Sequence, residues 1–255
     1  MNPKDEHSSA QQQPAAEAEF LARYDPDAFD RPSIAVDVVL LTVADGQLEV
    51  AVLERSDHPD LGNMTLPGTF VTIDESLDAA AERLLNEKVA LTGIFVEQLY
   101  TFGEPKRDPR MRIITVAYYA LVNPERLLNL SDVGLVRGRI EVPWGGETGG
   151  AVDLFDSADV PLTLAFDHAD VIGMAVKRIR GKLNYAPIGY QLLPAEFTLR
   201  RLQQVHETIL GNPFNKDSFR RRMLATGELE ATGTLEEEVG HRPAELYRFS
   251  RRSAV

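Results

Sequence analysis

Residues 67–91 combine a short loop and a helix whose spacing suits the binding of a divalent cation. The stretch reads PGTFVTIDESLDAAAERLLNEKVAL, and its apolar positions recur at helical intervals. Positions 84, 87 and 88 are related as i, i+3 and i+4, so their side chains lie on one face of the helix. Carboxylates there could jointly hold a hard divalent cation, and a bound cation can activate water. The spacing therefore makes a divalent-cation site the chemistry to consider.

The residue types at these positions do not suit that chemistry. Leu84 has no lone pair to give to a cation, and Lys88 brings a positive charge where a metal needs negative ones. Glu87 alone cannot assemble a site that activates water, and another carboxylate such as Glu75 would substitute only in part. We therefore predict no catalytic residue, no metal ligand and no cofactor. Arg83 and Glu87, four residues apart, are expected to form an ion pair that holds the helix to its loop.

A basic loop is the second feature that could do chemistry. The stretch PKRDPRMR, residues 105–112, contains one lysine and three arginines within an otherwise acidic region. The planar guanidinium group suits two-point contacts with phosphate, and a basic island concentrates the field where an anion docks. Arg55 is a further candidate for binding the anion, and Phe102 or Tyr100 is a candidate for stacking on a base. The alternative is that Asp108 and Arg110 only close a turn between strands.

A basic run near the C-terminus is the third feature. It reads NKDSFRRRM, residues 215–223, and has the length of a short helix. Successive helix positions turn by about 100°, so Phe219 and Met223 are expected to face a core and Arg220 to lie to the side. In a winged helix this helix enters the major groove, and the tip of the following hairpin contacts the backbone or the minor groove. The predicted DNA-binding residues are Asn215, Lys216, Ser218, Arg221, Arg222, His241 and Arg242.

Composition limits the classes of function. The 255-residue chain is 44% apolar, which suffices for two ordinary domains, and it has no cysteine, which excludes disulfides and thiol nucleophiles. Without a long apolar run or a secretion-signal pattern, we expect a cytoplasmic protein with no membrane partner.

The net charge of −12 is unevenly distributed along the chain. Through Ala165 there are 13 Lys and Arg residues and 28 Asp and Glu residues, whereas from Phe166 onward the numbers are 14 and 11. Repulsion by phosphates therefore disfavours nucleic-acid binding by the first part only.

The elements that must position these residues fall into two groups. Residues 1–19 are rich in Gln, Ala, Ser and Glu and are expected to form a disordered tail. Residues 20–160 contain strand patterns around the helix described above, and they include a predicted hairpin in SIAVDVVLLTVADGQLEVAVLER. Residues 161–255 contain three helical patterns and then a hairpin, which is the layout of a winged helix-turn-helix. The glycine-rich stretch at residues 144–150 could remodel a nearby pocket.

The loop and helix resemble the Nudix signature, G-x(5)-E-x(7)-R-E-U-x-E-E-x-G-U, in which U is apolar. The flanking stretches RPSIAVDVVLL and QLYTFGEPKRDPRMRIITVAYYALV fit the same comparison, as do the later stretches LAFDHADVI, LLPAEFTLRRLQQVHETILG, NKDSFRRRM and HRPAELYRF. From about residue 31 to residue 249 the chain resembles the Nudix-related transcriptional regulators, the NrtR family. Glu75, Arg83, Leu85, Glu87 and Leu91 match the signature, whereas Thr69, Leu84, Lys88 and Ala90 depart from it.

This resemblance implies an α+β chain in which a Nudix domain, an α/β/α sandwich, precedes a winged helix. In that family the Nudix domain is kept to bind an effector, here ADP-ribose or a sugar-like molecule, so the lost carboxylates cost a regulator little. It implies a regulator, a repressor of NAD metabolism or sugar catabolism genes, on a double-stranded DNA operator. Because a single winged helix on an acidic chain should bind DNA poorly, we expect a homodimer joined largely through the Nudix domains. Together with the basic loop, it gives as effector-binding residues Arg55, Phe102, Arg107, Asp108, Arg110 and Arg112.

Two other functions remain open on the sequence. One is a Nudix hydrolase that acts on ADP-ribose or a related nucleoside diphosphate compound with Mg²⁺. The other is a protein-binding module whose winged helix forms an interface, against which the arginine run at residues 220–222 argues. Hydrolysis assays with Mg²⁺ separate the enzyme from the others, and a salt-dependent shift with upstream DNA separates the regulator from the interaction module.

Overall fold

The computed structural model describes residues 16–127, 133–183, 188–237, 240 and 242–250. The chain divides into two compact units, Met1–Pro32 and Ser33–Val255. In the smaller unit, helix α1 covers residues 16–23 and a short 3-10 helix covers Pro26–Ala28. Residues 16–19, which the sequence assigns to a disordered tail, are therefore helical, and the rest of that predicted tail lies outside the described residues.

In the described part of the larger unit, a nine-stranded mixed sheet is the central element. The predicted hairpin is present: β1 (Ser33–Ala44) pairs antiparallel with β2 (Gln47–Glu54). β1 is parallel to β6 (Ile113–Leu121), the strand that pairs with β5 (Glu97–Phe102). The other strands are β3 (Met64–Thr65), β4 (Gly68–Phe70), β7 (Leu135–Glu141), β8 (Asp153–Phe155) and β9 (Pro161–Leu162). Their order is β5-β6-β1-β2-β7-β8-β9, with β3 on β2 and β4 on β1.

Both faces of the sheet are covered, because β1 sends apolar side chains alternately to each side. Val36 and Val38 pack with the apolar face of α2 (Leu77–Lys88). Val39 and Leu41 pack in the second core with α4 (His168–Lys182). A short helix, α3 (Pro124–Leu127), follows β6. The arrangement is the predicted α/β/α sandwich.

Helix α4 contacts both the large sheet and a helix of the C-terminal part, Leu199–Leu210. The sequence predicts α4 as the first helix of the C-terminal domain, whereas Val171 and Val176 of α4 pack against the large sheet. β9, which precedes α4, pairs with β8, so the predicted boundary between residues 160 and 161 passes between two paired strands. Helical periodicity shows that a helix has an apolar face, but it does not show which surface covers that face.

The C-terminal part forms the predicted winged helix. A 3-10 helix (Ile188–Leu192) leads to α5 (Leu199–Leu210), which begins where the Thr198 side chain accepts a bond from the Arg201 N–H. α5 ends at Gly211 in the left-handed conformation, with φ 70°, and α6 (Lys216–Ala225) follows. The strands β10 (Phe197–Thr198), β11 (Leu229–Leu235) and β12 (Glu245–Phe249) form an antiparallel sheet in the order β10-β12-β11. None of the described helices is long and apolar enough to span a membrane.

The glycine-rich stretch packs against α4. Arg180 donates through Nη1 to the carbonyl oxygens of Trp144 and Gly146, at 3.4 and 3.3 Å. Gly173 permits the approach, because a Cβ at that position would lie 1.8 Å from the Gly150 carbonyl oxygen. The Nε of Arg180 also donates to the Ile209 carbonyl oxygen at 2.9 Å, which joins α4 to α5.

Candidate effector pocket and DNA-binding surface

A pocket of about 370 Å³ opens in the Nudix domain between β1, the end of β2, β4, the end of α2 and the basic loop. It brings together four of the predicted effector-binding residues, which are Arg55, Arg107, Asp108 and Arg110. The other charged, histidine and phenylalanine side chains of the lining are Asp37, Phe70, Lys88, Phe166 and His168. Three of the four arginines predicted to bind the effector, Arg55, Arg107 and Arg110, therefore lie around one cavity.

Two of these arginines already have carboxylate partners. Arg107 donates to both oxygens of Asp167, at 2.6 and 2.8 Å, and its side chain is only 5% exposed. Arg110 donates to both oxygens of Asp108, at 2.7 and 3.0 Å, but its side chain is 45% exposed. Burial raises the pKa of Asp108, yet the bonds from Arg110 outweigh that effect and leave the pKa below its usual range. Arg107 is thus part of the pocket's frame, whereas Arg110 is accessible to a ligand.

Arg55 and Arg110 share one aromatic neighbour. Their guanidinium carbons lie 4.6 and 5.7 Å from the centre of the Phe166 ring, within the range of cation–π attraction. Arg55 is held in place because its Nε donates to the Pro59 carbonyl oxygen at 2.8 Å. This wall of one ring and two guanidinium groups suits an anionic ligand with a planar group.

His168 closes the pocket at the start of α4. Its Nδ1 accepts a hydrogen bond from the Leu66 N–H at 3.0 Å, so the ring proton resides on Nε2. Burial lowers the pKa of His168, while the charge of Asp37, 4.0 Å away, acts in the opposite direction. His168 is therefore neutral. Sequence reasoning missed Phe166 and His168 for the pocket because LAFDHADVI was assigned to the C-terminal domain.

Phe102 and Arg112, the other predicted effector residues, are not among the residues that line the pocket. Phe102 packs against the core between the sheet and α4, with its ring 5.3 Å from that of Tyr100. Arg112 donates to the Glu104 carbonyl oxygen at 3.2 Å. The structure does not bring these two side chains together with the other four.

A Nudix domain implies a magnesium site on helix α2. In this chain α2 does not offer the carboxylates that such a site needs. Leu84 is 1% exposed and belongs to the apolar core. Glu87 is exposed, and its carboxylate lies 3.7 Å from the guanidinium group of Arg83. Lys88 donates to the Gly68 carbonyl oxygen at 2.7 Å, so an ammonium group stands where the last acidic ligand would be. These donors do not fit a divalent cation.

Arg83 ties α2 to the loop before it, as predicted, but mainly through a different carboxylate. It donates to both oxygens of Glu75, at 2.7 and 3.0 Å, and to the Phe70 carbonyl oxygen at 3.0 Å. The bonds from Arg83, followed by one from the Thr72 N–H, lower the pKa of Glu75 to about 2. Glu75 is therefore committed to a structural ion pair.

Helix α6 presents a cationic face. Phe219 is 2% exposed and Met223 is half-buried, so both face the core as the sequence predicts. Lys216, Ser218 and Arg221 are exposed. The exposed positions suit contacts with phosphates or base edges.

Three other basic or polar residues of this region have partners within the domain. The Asn215 side chain accepts a bond from the Ser218 N–H at 3.0 Å and caps α6. Arg220 donates to the Tyr247 hydroxyl at 3.3 Å, which places it to the side as expected. The Arg222 guanidinium lies 5.1 Å from the Phe214 ring.

A groove of about 790 Å³ runs beside α6 and includes Lys216 and Arg242. Its lining also contains Arg200 and Arg201 at the start of α5, which sequence reasoning did not select. The sequence feature that could have indicated these two residues is the pair of adjacent arginines in EFTLRRLQQ. His241, predicted at the wing tip, lies outside the described residues.

Comparison with known proteins matches both parts of the chain. A model of the NUDIX domain matches residues 31–139, and a model of the NrtR DNA-binding winged helix domain matches residues 189–249. The chain is 35% identical to the ADPR responsive transcriptional repressor NtrR of Acinetobacter baylyi, over 92% of this chain and 89% of that protein. It is 26% identical to the ADP-ribose pyrophosphatase of Methanocaldococcus jannaschii, over 55% of this chain and 71% of that enzyme.

A solved structure agrees with this assignment over both domains. Shewanella oneidensis NrtR, complexed with a 27mer DNA, superposes with a TM-score of 0.69 and 37% sequence identity, covering 85% of this chain and 93% of that chain. The identity, the coverage and the order of the two domains lead to one conclusion: this chain belongs to the NrtR family of Nudix-related transcriptional regulators.

Proposed function

We propose that this protein is a transcriptional repressor that binds operator DNA through its winged helix and responds to ADP-ribose bound in the Nudix pocket. The observation that carries the proposal is a cationic pocket whose wall of Phe166, Arg55 and Arg110 suits a nucleotide, and to which helix α2 contributes Lys88 in place of a carboxylate. The relative in Acinetobacter baylyi, named for its response to ADPR, favours ADP-ribose over a sugar as the effector. A cytoplasmic location is part of this proposal.

In the proposed complex, Arg55 and Arg110 bind the effector and Phe166 packs against its planar part. Both guanidinium groups already lie against the Phe166 ring. Binding of a nucleotide would therefore cost little free energy for ordering these side chains. Arg107 and Asp108 act indirectly, because each is buried and paired. Phe102 and Arg112 have no part in this arrangement.

For DNA, we infer that Lys216 and Arg221 of α6 enter the major groove and that Arg242 contacts the backbone. The first two are exposed on one helix, and all three carry positive charge on an otherwise acidic protein. Arg200 and Arg201, in the adjoining groove, extend the cationic surface toward α5.

A homodimer is part of the proposal. A single winged helix on a chain with a net charge of −12 would bind DNA weakly. Two copies on half-sites related by a two-fold axis would add their contacts. Sedimentation equilibrium should give about twice the chain mass of 28.3 kDa.

The experiment uses an operator selected with the full-length protein from a random duplex library. Fluorescence anisotropy then follows binding of the selected duplex while ADP-ribose is added. We expect release of the duplex by ADP-ribose and none by equal concentrations of ribose. Duplex binding that is unchanged at saturating ADP-ribose would refute the proposed response, and failure to select any duplex would refute the DNA-binding role.

A further inference from the structure

Lys88 occupies the position at which the Nudix signature has its last glutamate. It is exposed at the C-terminal end of α2 and lines the pocket. Its Nζ donates one hydrogen bond to the Gly68 carbonyl oxygen at 2.7 Å, which fixes the ammonium group at the pocket wall. An ammonium group has three N–H donors, so others remain for a ligand.

Gly68 gives this anchor a fixed position. It pairs with Asp37 across β4 and β1, and a Cβ on Gly68 would lie 2.2 Å from the Asp37 carboxylate oxygen. The glycine thus leaves room for the Asp37 side chain beside the paired strands. The carbonyl oxygen that holds Lys88 is therefore part of the rigid sheet.

The charges of the pocket leave two cations for an anionic ligand. Arg107 and Arg110 are paired with Asp167 and Asp108. In the part of the chain that the structure describes, no carboxylate ion pair is found for Arg55 or Lys88. Asp37 also lines the pocket and lies 3.8 Å from Arg107, so four cations face three carboxylates and the balance around the cavity remains positive.

We propose that Lys88 takes the place of the divalent cation and binds the diphosphate of the effector without metal. The inference rests on the proposed response to ADP-ribose and specifies how that ligand is held. An ammonium group and a metal ion both neutralise phosphate charge, but only a metal ion also acidifies a bound water. Replacement of the metal by Lys88 thus retains diphosphate binding and removes the source of a nucleophile.

The test is calorimetry of ADP-ribose with the full-length protein, once in EDTA and once in Mg²⁺. The wild-type Kd should be the same in both buffers to within about twofold. Lys88→Gln keeps an N–H donor for Gly68 but removes the charge, and it should raise the Kd at least about tenfold. Lys88→Arg keeps the charge and should stay within about fivefold of wild type.

Lys177→Gln is the matched control. Lys177 also donates to a backbone carbonyl oxygen, that of Thr148 at 3.4 Å, but it does not line the pocket. The Kd of Lys177→Gln for ADP-ribose should equal that of the wild type.

The possible failures can be told apart. Wild-type binding that requires Mg²⁺, or an unchanged Kd in Lys88→Gln, overturns the role of Lys88 while the response to ADP-ribose stands. Absence of ADP-ribose binding in both buffers overturns the effector as well. Because the comparison of buffers uses the wild type, the proposal remains falsifiable even if a variant fails to fold.

Discussion

Arg107 and Arg110 are both paired with a carboxylate, but Arg107 is buried and Arg110 is half-exposed. Mutation of Arg107 should therefore affect stability, and mutation of Arg110 should affect ligand binding. Arg107→Ala would leave Asp167 and the nearby Asp37 without their buried cation, so the free energy of unfolding should fall by about 3–5 kcal/mol. Arg110→Ala should change stability little, because its side chain is 45% exposed, and should weaken ADP-ribose binding about tenfold.

Urea unfolding and calorimetry on the same two proteins decide this prediction. If Arg107→Ala is as stable as wild type, the ion pair with Asp167 does not support the pocket. If Arg110→Ala binds ADP-ribose normally, the basic loop only closes a turn.

His206 predicts a dependence of stability on pH. Burial, and secondarily the charge of Arg222, lowers the pKa of His206 to about 4, and its ring lies 5.2 Å from that of Phe219. The unfolded chain takes up a proton near pH 6.5 and the folded chain only near pH 4, so the free energy of unfolding falls as the pH drops through this window. At pH 5 the loss should be about 2 kcal/mol.

Replacement of His206 by Met removes this contribution. Wild type and His206→Met should be compared by urea unfolding at pH 7.5 and pH 5, since all other titrating groups are common to both. We expect the acid-induced loss to be larger in wild type. Parallel losses in the two proteins would contradict the assignment to His206.

At the scale of elements, α6 makes a prediction about DNA binding. Arg221 is exposed, whereas Arg222 lies over the Phe214 ring, so Arg221 is the better phosphate contact. Arg221→Ala should weaken binding of the selected duplex and reduce the slope of log K against log salt by about 1. Arg126→Ala removes an exposed arginine of the Nudix domain and is the control. Equal slopes for wild type and Arg221→Ala would exclude a phosphate contact by Arg221.

The sequence predicted those elements whose pattern is local. The hairpin of β1 and β2, helix α2 and the capped helix α6 follow from alternation, helical spacing and turn residues that lie within each segment. The layer to which α4 belongs depends on contacts with the sheet, which lies far away in sequence, so helical spacing alone could not predict it. The same limit applies to the pocket, because the partner of Arg107 lies 60 residues away at the start of α4.

At the scale of the whole molecule, the residues of α2 predict that the protein has no hydrolase activity. Leu84 is buried and Lys88 donates to Gly68, so no acidic pair faces the pocket from this helix. With Mg²⁺ or Mn²⁺ the purified protein should not hydrolyse ADP-ribose above a buffer control, as followed by chromatography of AMP. Turnover on the order of 1 per second or faster would establish the hydrolase function instead.

Helix α4 extends about 22 Å from the pocket to the winged helix, with His168 at one end and Arg180 near the other. One rigid element therefore contacts both the effector pocket and α5. If ADP-ribose releases the operator, thermodynamic linkage requires that the operator weaken ADP-ribose binding by the same factor. Protein bound to its operator would then respond only at a higher ADP-ribose concentration than protein free of DNA, so operator occupancy would itself set the threshold of the sensor.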